Sequence, residues 1–357
     1  MRFEKSTRAY ERWLRRHITL LDRDLDLKHL RMSEGIFPFF RATFYRWAQT
    51  WSALCPELAA APSVLAVGDL HVENFGTWRD ADGRLVWGVN DFDEAYPLPY
   101  TNDLLRLATS AYLASAAAHL AISLKDACAA ILAGYAEAFD RGGEPFVLEE
   151  NHAWLREAAT GDLRDPAAFW AKLSNLVPIR EVVPKTARKA LARMLPERDV
   201  GFDIFHRTAG LGSLGRQRFL ALATWRAGKV AREAKALAPS ACVFATSGRG
   251  TAIHYADIIA RAIRIPDPFV RVCGQWIVRR LAPHCTRVEL AALPRVRDER
   301  RLLHAMGFET ANIHLGTPKA RKRIARDLEK RKAGWLPAAV HTMANAVQAD
   351  WQAWRER

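Results

Sequence analysis

The stretch GDLHVEN at residues 68–74, followed by NDFDEA at 90–95, decides how this chain is read. Asp69 and Asn74 stand five apart, and Asp91 follows a segment with the pattern of a β-hairpin: 75–78, a turn at 79–84 containing Asp82-Gly83, and 85–89. Three side chains that handle protons and metal ions are therefore expected in one cleft. Magnesium takes oxygen ligands, and it holds nucleotide phosphates with one or two protein groups while phosphate and water supply the rest. Asn74 and Asp91 suit that task. Asp69 suits another, that of a carboxylate which orients an acceptor hydroxyl and takes its proton. Taken singly, an Asp after Gly is a turn residue and an Asn caps a bend, so the joint spacing carries the reading. Asp93 and Glu94 add carboxylates that either bind a second ion or face solvent. Asp103 is expected to accept backbone hydrogen bonds that brace the loop at Asp69, and His71 to position that loop by hydrogen bonding.

Working outward, residues 5–30 read as charged helix. Phe37, Phe40, Phe44, Trp47, Trp51 and Leu54 then recur at spacings of three and four, as one apolar face of a long helix. Pro97 and Pro99 break the chain, and Thr101 or Asn102 can cap a helix running into the uncharged stretch 108–124, which includes His119. That stretch is rich in Ala and Ser and reads as a buried helix, not a membrane span. Helices continue to about residue 195, interrupted at Gly142-Gly143 and Gly161. The pattern changes near 201: strands are expected at 202–208, 216–224 and 230–236, with the glycine turn AGLGSLG (209–215) between the first two. A helix at 251–265 and a hairpin of 269–273 and 276–281 about Gly274-Gln275 complete a small α+β unit. The expected organisation is a helical lobe at 1–200 carrying the hairpin, a β-rich lobe at 201–290, and helices at 291–357 packing back on the first lobe.

At 357 residues, with 50% hydrophobic and 26% charged residues, the composition is that of a globular protein with room for two lobes and a sizeable core. The net charge of +14 favours an anionic partner: nucleotide, phosphorylated metabolite, nucleic acid or acidic surface. The five cysteines form no C-x-x-C pair and read as buried free thiols in a reducing cytosol. The first residues are charged where a signal peptide needs an apolar stretch, so a cytoplasmic protein without a membrane partner is expected. The basic run KARKRIARDLEKRK (319–332) alternates with Ile324, Ala325 and Leu328, as a solvated amphipathic helix does, which argues against a nucleic-acid partner. The sequence says nothing about oligomeric state.

DLHVEN resembles the catalytic loop of protein kinases and, more closely, that of aminoglycoside phosphotransferase-like small-molecule kinases. NDFDEA stands in the place of their metal-binding Asp-Phe-Gly segment, and the resemblance is good over 64–108. It implies Asp69 as catalytic base, Asn74 and Asp91 as Mg²⁺ ligands, and Asp103 as the bracing aspartate. Val67 stands where those families have His, and Asp93 where protein kinases have Gly. GDLHVENFG, NDFDEA and the later GLGSLG are together similar to a bacterial kinase-like family catalogued as a domain of unknown function (DUF2252-like). That similarity is expected to span most of the chain and implies a fold but no substrate.

Gly210, Gly212 and Gly215 form G-x-G-x-x-G, a weak motif by itself, without the preceding buried strand and following helix that a dinucleotide site needs. In a kinase-like lobe these glycines and Ser213 would link two antiparallel strands and let backbone N–H groups approach phosphate. A cation from the third strand should then reach the phosphates. Lys229, Arg232 and Lys235 are available, position favours Arg232 or Lys235, and Glu233 or Asp257 could pair with it. Kinases place the glycine loop before the catalytic loop, yet here it follows by about 140 residues. The expected fold is thus an α+β, kinase-like two-lobed fold in circularly permuted order. The expected function is ATP- and Mg²⁺-dependent phosphotransfer to an unidentified small hydroxyl-bearing acceptor. The alternatives are AMP transfer on the same fold, or a nucleotide-binding pseudokinase or scaffold without catalysis.

Overall fold

A computed structural model of the chain describes residues 2–117, 120–149, 152–160, 165–176, 179, 182–285 and 298–357. His119, Gly161 and the expected start of the last unit at 291 lie outside the described residues. The chain is mixed α+β. It opens with five helices, α1 (Phe3–Arg15), α2 (Asp22–Glu34), α3 (Ile36–Ala42), α4 (Phe44–Leu54) and α5 (Pro56–Ala59). The long apolar helix expected across 37–54 is in fact two, broken at Thr43. There the Thr43 hydroxyl donates to the Phe39 carbonyl at 2.8 Å and an arginine, Arg106, donates to the Phe40 carbonyl at 3.1 Å. Side chains thus take the acceptors at the end of α3, and the chain bends while Phe37, Phe40, Phe44, Trp47 and Trp51 all remain buried.

Four short strands follow: β1 (Ser63–Ala66), β2 (Phe75–Arg79), β3 (Leu85–Val89) and β4 (Tyr96–Pro99). β2 and β3 form the expected hairpin, with Phe75 opposite Val89. β4, which contains both prolines, pairs with β1 alone, where a strand with missing N–H donors is tolerated. Next come α6 (Thr101–Ala116), α7 (Leu124–Arg141) and β5 (Phe146–Val147), which adds a third strand beside β3. Neither Thr101 nor Asn102 caps α6: both lie inside the helix, and Tyr100 at its start makes no side-chain cap. After α8 (Ala153–Thr160), α9 (Pro166–Ser174) and α10 (Lys185–Ala192) the chain enters a five-stranded sheet.

That sheet is built from β6 (Asp203–His206), β7 (Arg218–Trp225), β8 (Gly228–Ala236), β9 (Arg271–Cys273) and β10 (Trp276–Leu281), in the antiparallel order β6-β7-β8-β10-β9. Two short helices, α11 (Ala241–Ala245) and α12 (Tyr255–Arg261), occupy the crossover from β8 to β9. The last helices are α13 (Glu299–Leu315), α14 (Ala320–Lys330) and α15 (Trp335–Arg355). α13 crosses α7 backbone to backbone: a Cβ on Gly134 would strike the His304 carbonyl, and one on Gly307 would strike the Ile131 carbonyl. Two glycines on facing helices bring α13 close enough for its side chains to reach beneath β3 and the loop at Gly68. None of the five cysteines is disulfide-bonded, and among the described residues no helix is long and apolar enough to cross a membrane.

Candidate active site

The loop at Asp69 is fixed from below by α6. Asp103 accepts the N–H of Val67 at 2.7 Å and of Gly68 at 3.0 Å, one on each carboxylate oxygen. His314 of α13 bonds the same carboxylate at 3.0 Å and Tyr135 of α7 at 2.8 Å, so a fully buried Tyr–His–Asp chain ends on the loop backbone. Gly68 has φ +81°, and a Cβ there would run into the Glu94 carbonyl, so the turn admits only glycine without strain. His71 is buried, and its Nδ1 accepts the Glu73 N–H at 3.2 Å.

Asn74 fastens the two motifs together. Its amide nitrogen donates to the Asp69 carbonyl at 3.2 Å and the Asp91 carbonyl at 3.0 Å, while its oxygen accepts the Asp91 N–H at 3.0 Å. The hairpin register does the rest, returning the chain so that the Asn90 N–H reaches the Asn74 carbonyl at 2.9 Å. Residues 69 and 91 are thereby tied side by side.

Among the described residues, the hydrogen bonds to the Asp69 carboxylate go to one oxygen. Arg106, one turn beyond Asp103 on α6, donates to its Oδ1 through Nε at 2.8 Å and Nη2 at 2.5 Å. This guanidinium is fully buried and lies over Phe40 (4.1 Å), Phe44 (4.9 Å) and Trp47 (5.0 Å). Oδ2 points toward the glycine loop, where a methyl built on Gly212 would stand 3.5 Å away. Burial raises the Asp69 carboxyl above its ordinary range, with Arg106 opposing the shift.

Lys235 of β8 lies over the second motif, with Nζ at 2.7 Å from both Asp91 and Asp93. Burial alone would raise Asp91, yet Lys235 and the neighbouring hydrogen bonds hold it well below the usual carboxylate range. Asp93 moves the other way, raised by burial and by the charge of Asp91. Its Oδ1 is buried with no hydrogen-bond partner among the described residues. Arg216 reaches Asp93 at 3.3 Å and Glu94 at 3.0 Å. Glu94 also accepts the Ala241 N–H at 2.6 Å and the Ser240 hydroxyl at 3.0 Å, and burial pushes its carboxyl up to about 7.

The other cations weighed from sequence lie elsewhere. Arg232, on the opposite face of β8, donates to the Met194 and Ala231 carbonyls and sits over Phe269, so it is a packed side chain away from Asp91. Lys229 bonds Ser174, and Asp257 pairs with His254 on the surface. Glu233 is ion-paired, but to Arg207, Arg218 and Arg279 rather than to a lysine.

The glycine run is a short 3₁₀ turn at Leu211–Ser213 between Gly210 (φ +74°) and Gly215 (φ +95°). The N–H groups of Ser213 and Leu214 are used within that turn. Ser213 Oγ accepts Arg218 at 2.7 Å, and Lys28 of α2 donates to the Gly212 carbonyl at 3.1 Å. Burial pushes that lysine down to about 8.

Among the described residues no cluster of three His, Cys, Asp or Glu side chains is placed to hold a metal ion. A cation that takes most ligands from phosphate and water needs fewer. Asp91 and Asp93 already share one cation, Lys235, and Asp93 retains an unpartnered buried oxygen, so the pair fits such an ion. Asn74 stands behind them with its amide engaged by backbone.

Arg106, Arg216, Arg218 and His314 were not singled out from sequence. Arg106 left a signal, being the single Asp, Glu, Lys or Arg between Asp103 and Lys125 on a helix that is otherwise apolar or small. A charge so placed must be paired.

A mixed α+β chain with clustered carboxylates defines a class and no more. The chain belongs to the bacterial family described as "Uncharacterized protein conserved in bacteria (DUF2252)", whose model matches residues 20–199. The match includes GDLHVEN and NDFDEA but ends before GLGSLG, so it covers about half the chain and not most of it. No curated protein and no solved structure matches the chain.

Proposed function

We propose that the chain is a kinase-like, ATP- and Mg²⁺-dependent transferase that moves a phosphorus-centred group to the hydroxyl of a small acceptor, on a two-lobed fold in circularly permuted order. The observation that carries this reading is the attachment of Asn74 to both Asp69 and Asp91, which holds two carboxylates of different character in one cleft. The supporting order of parts is a glycine turn between β6 and β7 and Lys235 on the third strand of the same sheet.

Each residue then has a task. Arg106 holds Asp69 Oδ1, and Oδ2 orients the acceptor hydroxyl and takes its proton as the new P–O bond forms. Lys235 presents a point charge to the phosphates, and Asp91 and Asp93 hold the ion. Bound Mg²⁺ supplies charge neutralisation at the phosphates. Arg232 has no part in this scheme.

The test is incubation of the protein with ATP·Mg²⁺ and a metabolite extract, read by mass spectrometry against Asp91→Ala. The expected result is a modified acceptor from the wild type alone, together with Mg²⁺-dependent nucleotide protection in a melting scan that Asp91→Ala loses. Full turnover by Asp91→Ala refutes the reading.

A further inference from the structure

The face of the five-stranded sheet that carries Lys235 is unusual for a surface meant to receive a flat aromatic base. Side chains alternate along a strand, so Glu233 shares the face of Lys235 on β8. Arg218 of β7 stands opposite Lys235, and Arg279 of β10 stands opposite Glu233. Both donate to the Glu233 carboxylate, Arg218 at 2.6 Å and Arg279 at 2.9 Å, and Arg207, just past β6, also pairs with it. Three guanidinium groups therefore surround one carboxylate, and Lys235 continues the row toward Asp91. Base and small-molecule pockets are lined mainly by apolar and aromatic side chains. The apolar side chains of this face, Phe205, Leu220, Ala231 and Leu281, pack with Leu173 of α9, and the stretch between them and Asp91 is lined by charge.

The cluster is also unsatisfied in a specific sense. A guanidinium has five N–H donors. Arg207 and Arg279 each give one hydrogen bond to Glu233, and they remain 27% and 23% exposed. Arg218 spends two, on Glu233 and on Ser213 of the glycine turn. Positive charge and forked donors are left over, in the arrangement that matches phosphate oxygens.

We infer that Arg207, Arg218 and Arg279, organised by Glu233, form a polyphosphate site that takes the β- and γ-phosphates of the nucleotide, which leaves the α-phosphate beside Asp91. This deepens the proposed function and rests on its premise that the cleft binds a nucleotide. The base then lies at the outer end of the cleft, and the group transferred is a nucleoside monophosphate. The acceptor oxygen bonds to the α-phosphorus, and the bond from that phosphorus to the bridging oxygen of the β-phosphate breaks. Pyrophosphate leaves with the electron pair, and the acceptor proton passes to Asp69. The products are a phosphodiester and pyrophosphate.

Two measurements decide it. Inorganic tripolyphosphate should raise the melting temperature of the wild type and compete with ATP, whereas sulfate at equal concentration should do neither. Arg279→Gln, and separately Arg207→Gln, should each weaken tripolyphosphate about tenfold, the scale of one charge-assisted hydrogen bond, with adenosine affinity unchanged. Both positions are partly exposed and leave Glu233 two cations, so the fold is retained. Tripolyphosphate affinity equal in wild type and both variants overturns the site. In turnover with labelled ATP, label from the α-phosphate should enter the product. Label from the γ-phosphate overturns the reversed orientation and leaves nucleotide binding standing. Absence of any Mg²⁺-dependent nucleotide shift in the wild type removes the premise itself.

Discussion

The carboxylates of Asp69, partly exposed, and of Glu233, buried, are held in opposite ways. Among the described residues, the hydrogen bonds to the Asp69 carboxylate come from Arg106 and go to one of its oxygens, with that guanidinium inside a box of three aromatic rings and the second oxygen facing the glycine turn. Glu233 has three cations and is saturated, which leaves the arginines with donors to spare. The ratio of charges decides what remains available: an open carboxylate oxygen in the first case, spare guanidinium donors in the second. A buried charge must be paired, but pairing with an imbalance is what makes a site.

The largest effect expected on the first half of that comparison comes from Asp69→Asn. The substitution keeps the shape and removes the proton acceptor, so transfer should fall by about 10²–10⁴-fold while nucleotide still raises the melting temperature. Retained transfer would mean that the open oxygen of Asp69 does no proton chemistry, and the contrast with Glu233 would collapse. On the other side, Glu233→Gln leaves three guanidinium groups facing one another without their anion. It should cost about 3–5 kcal/mol in a urea titration, and tripolyphosphate should restore more stability to the variant than it adds to the wild type. Equal gains in both would show that the cluster is structural only.

Arg106→Lys sharpens the Asp69 half. A lysine keeps the charge but not the fork, and it fits the aromatic box poorly, so about 1–3 kcal/mol of stability should be lost. Asp69 already sits above its ordinary range because of burial, and Arg106 is what opposes that shift. A weaker partner lets it rise further. A base works when deprotonated, so activity is lost as pH falls through its pKa, and the acidic limb of the rate profile should move to higher pH. A limb that stays in place would show that Arg106 does not tune Asp69.

The two halves differ as well in how far they could be read from sequence. Asp69, Asn74, Asp91 and Asp103 lie within one short segment, joined by a hairpin and a helix start, and local patterns determine both. The strands at 203–206, 218–225, 228–236, 271–273 and 276–281 were likewise close to where turn residues placed them. The Glu233 cluster was invisible because its members come from three separated strands and the region just after a fourth, and meet only through register. The choice between Arg232 and Lys235 had the same cause. Their odd spacing puts them on opposite faces of β8, but which face meets Asp91 depends on how the sheet sits on the helices. The close passage of α13 over α7 was equally hidden, since Gly134 and Gly307 look like poor helix residues until the partner backbone is known.

The smallest effect on stability, and the finest test, lies in the glycine turn between the two carboxylates. Gly212 does not have a positive φ, so alanine is admissible there, and its methyl would meet the Arg41 carbonyl at 3.1 Å and Asp69 Oδ2 at 3.5 Å. A shift of a few tenths of an ångström accommodates it, and alanine loses less chain entropy on folding, so the net change should stay within about 1 kcal/mol. The methyl nevertheless occupies the space above the oxygen that is proposed to meet the acceptor. Gly210 is different: φ is +74°, and a Cβ would stand 3.0 Å from Arg218 Nη2, on the polyphosphate side. Gly212→Ala should therefore reduce kcat with tripolyphosphate affinity unchanged, and Gly210→Ala should weaken tripolyphosphate as well as cost about 1 kcal/mol. If both substitutions act on the same parameter, the turn moves as one body and the two sides of the cleft are a single site.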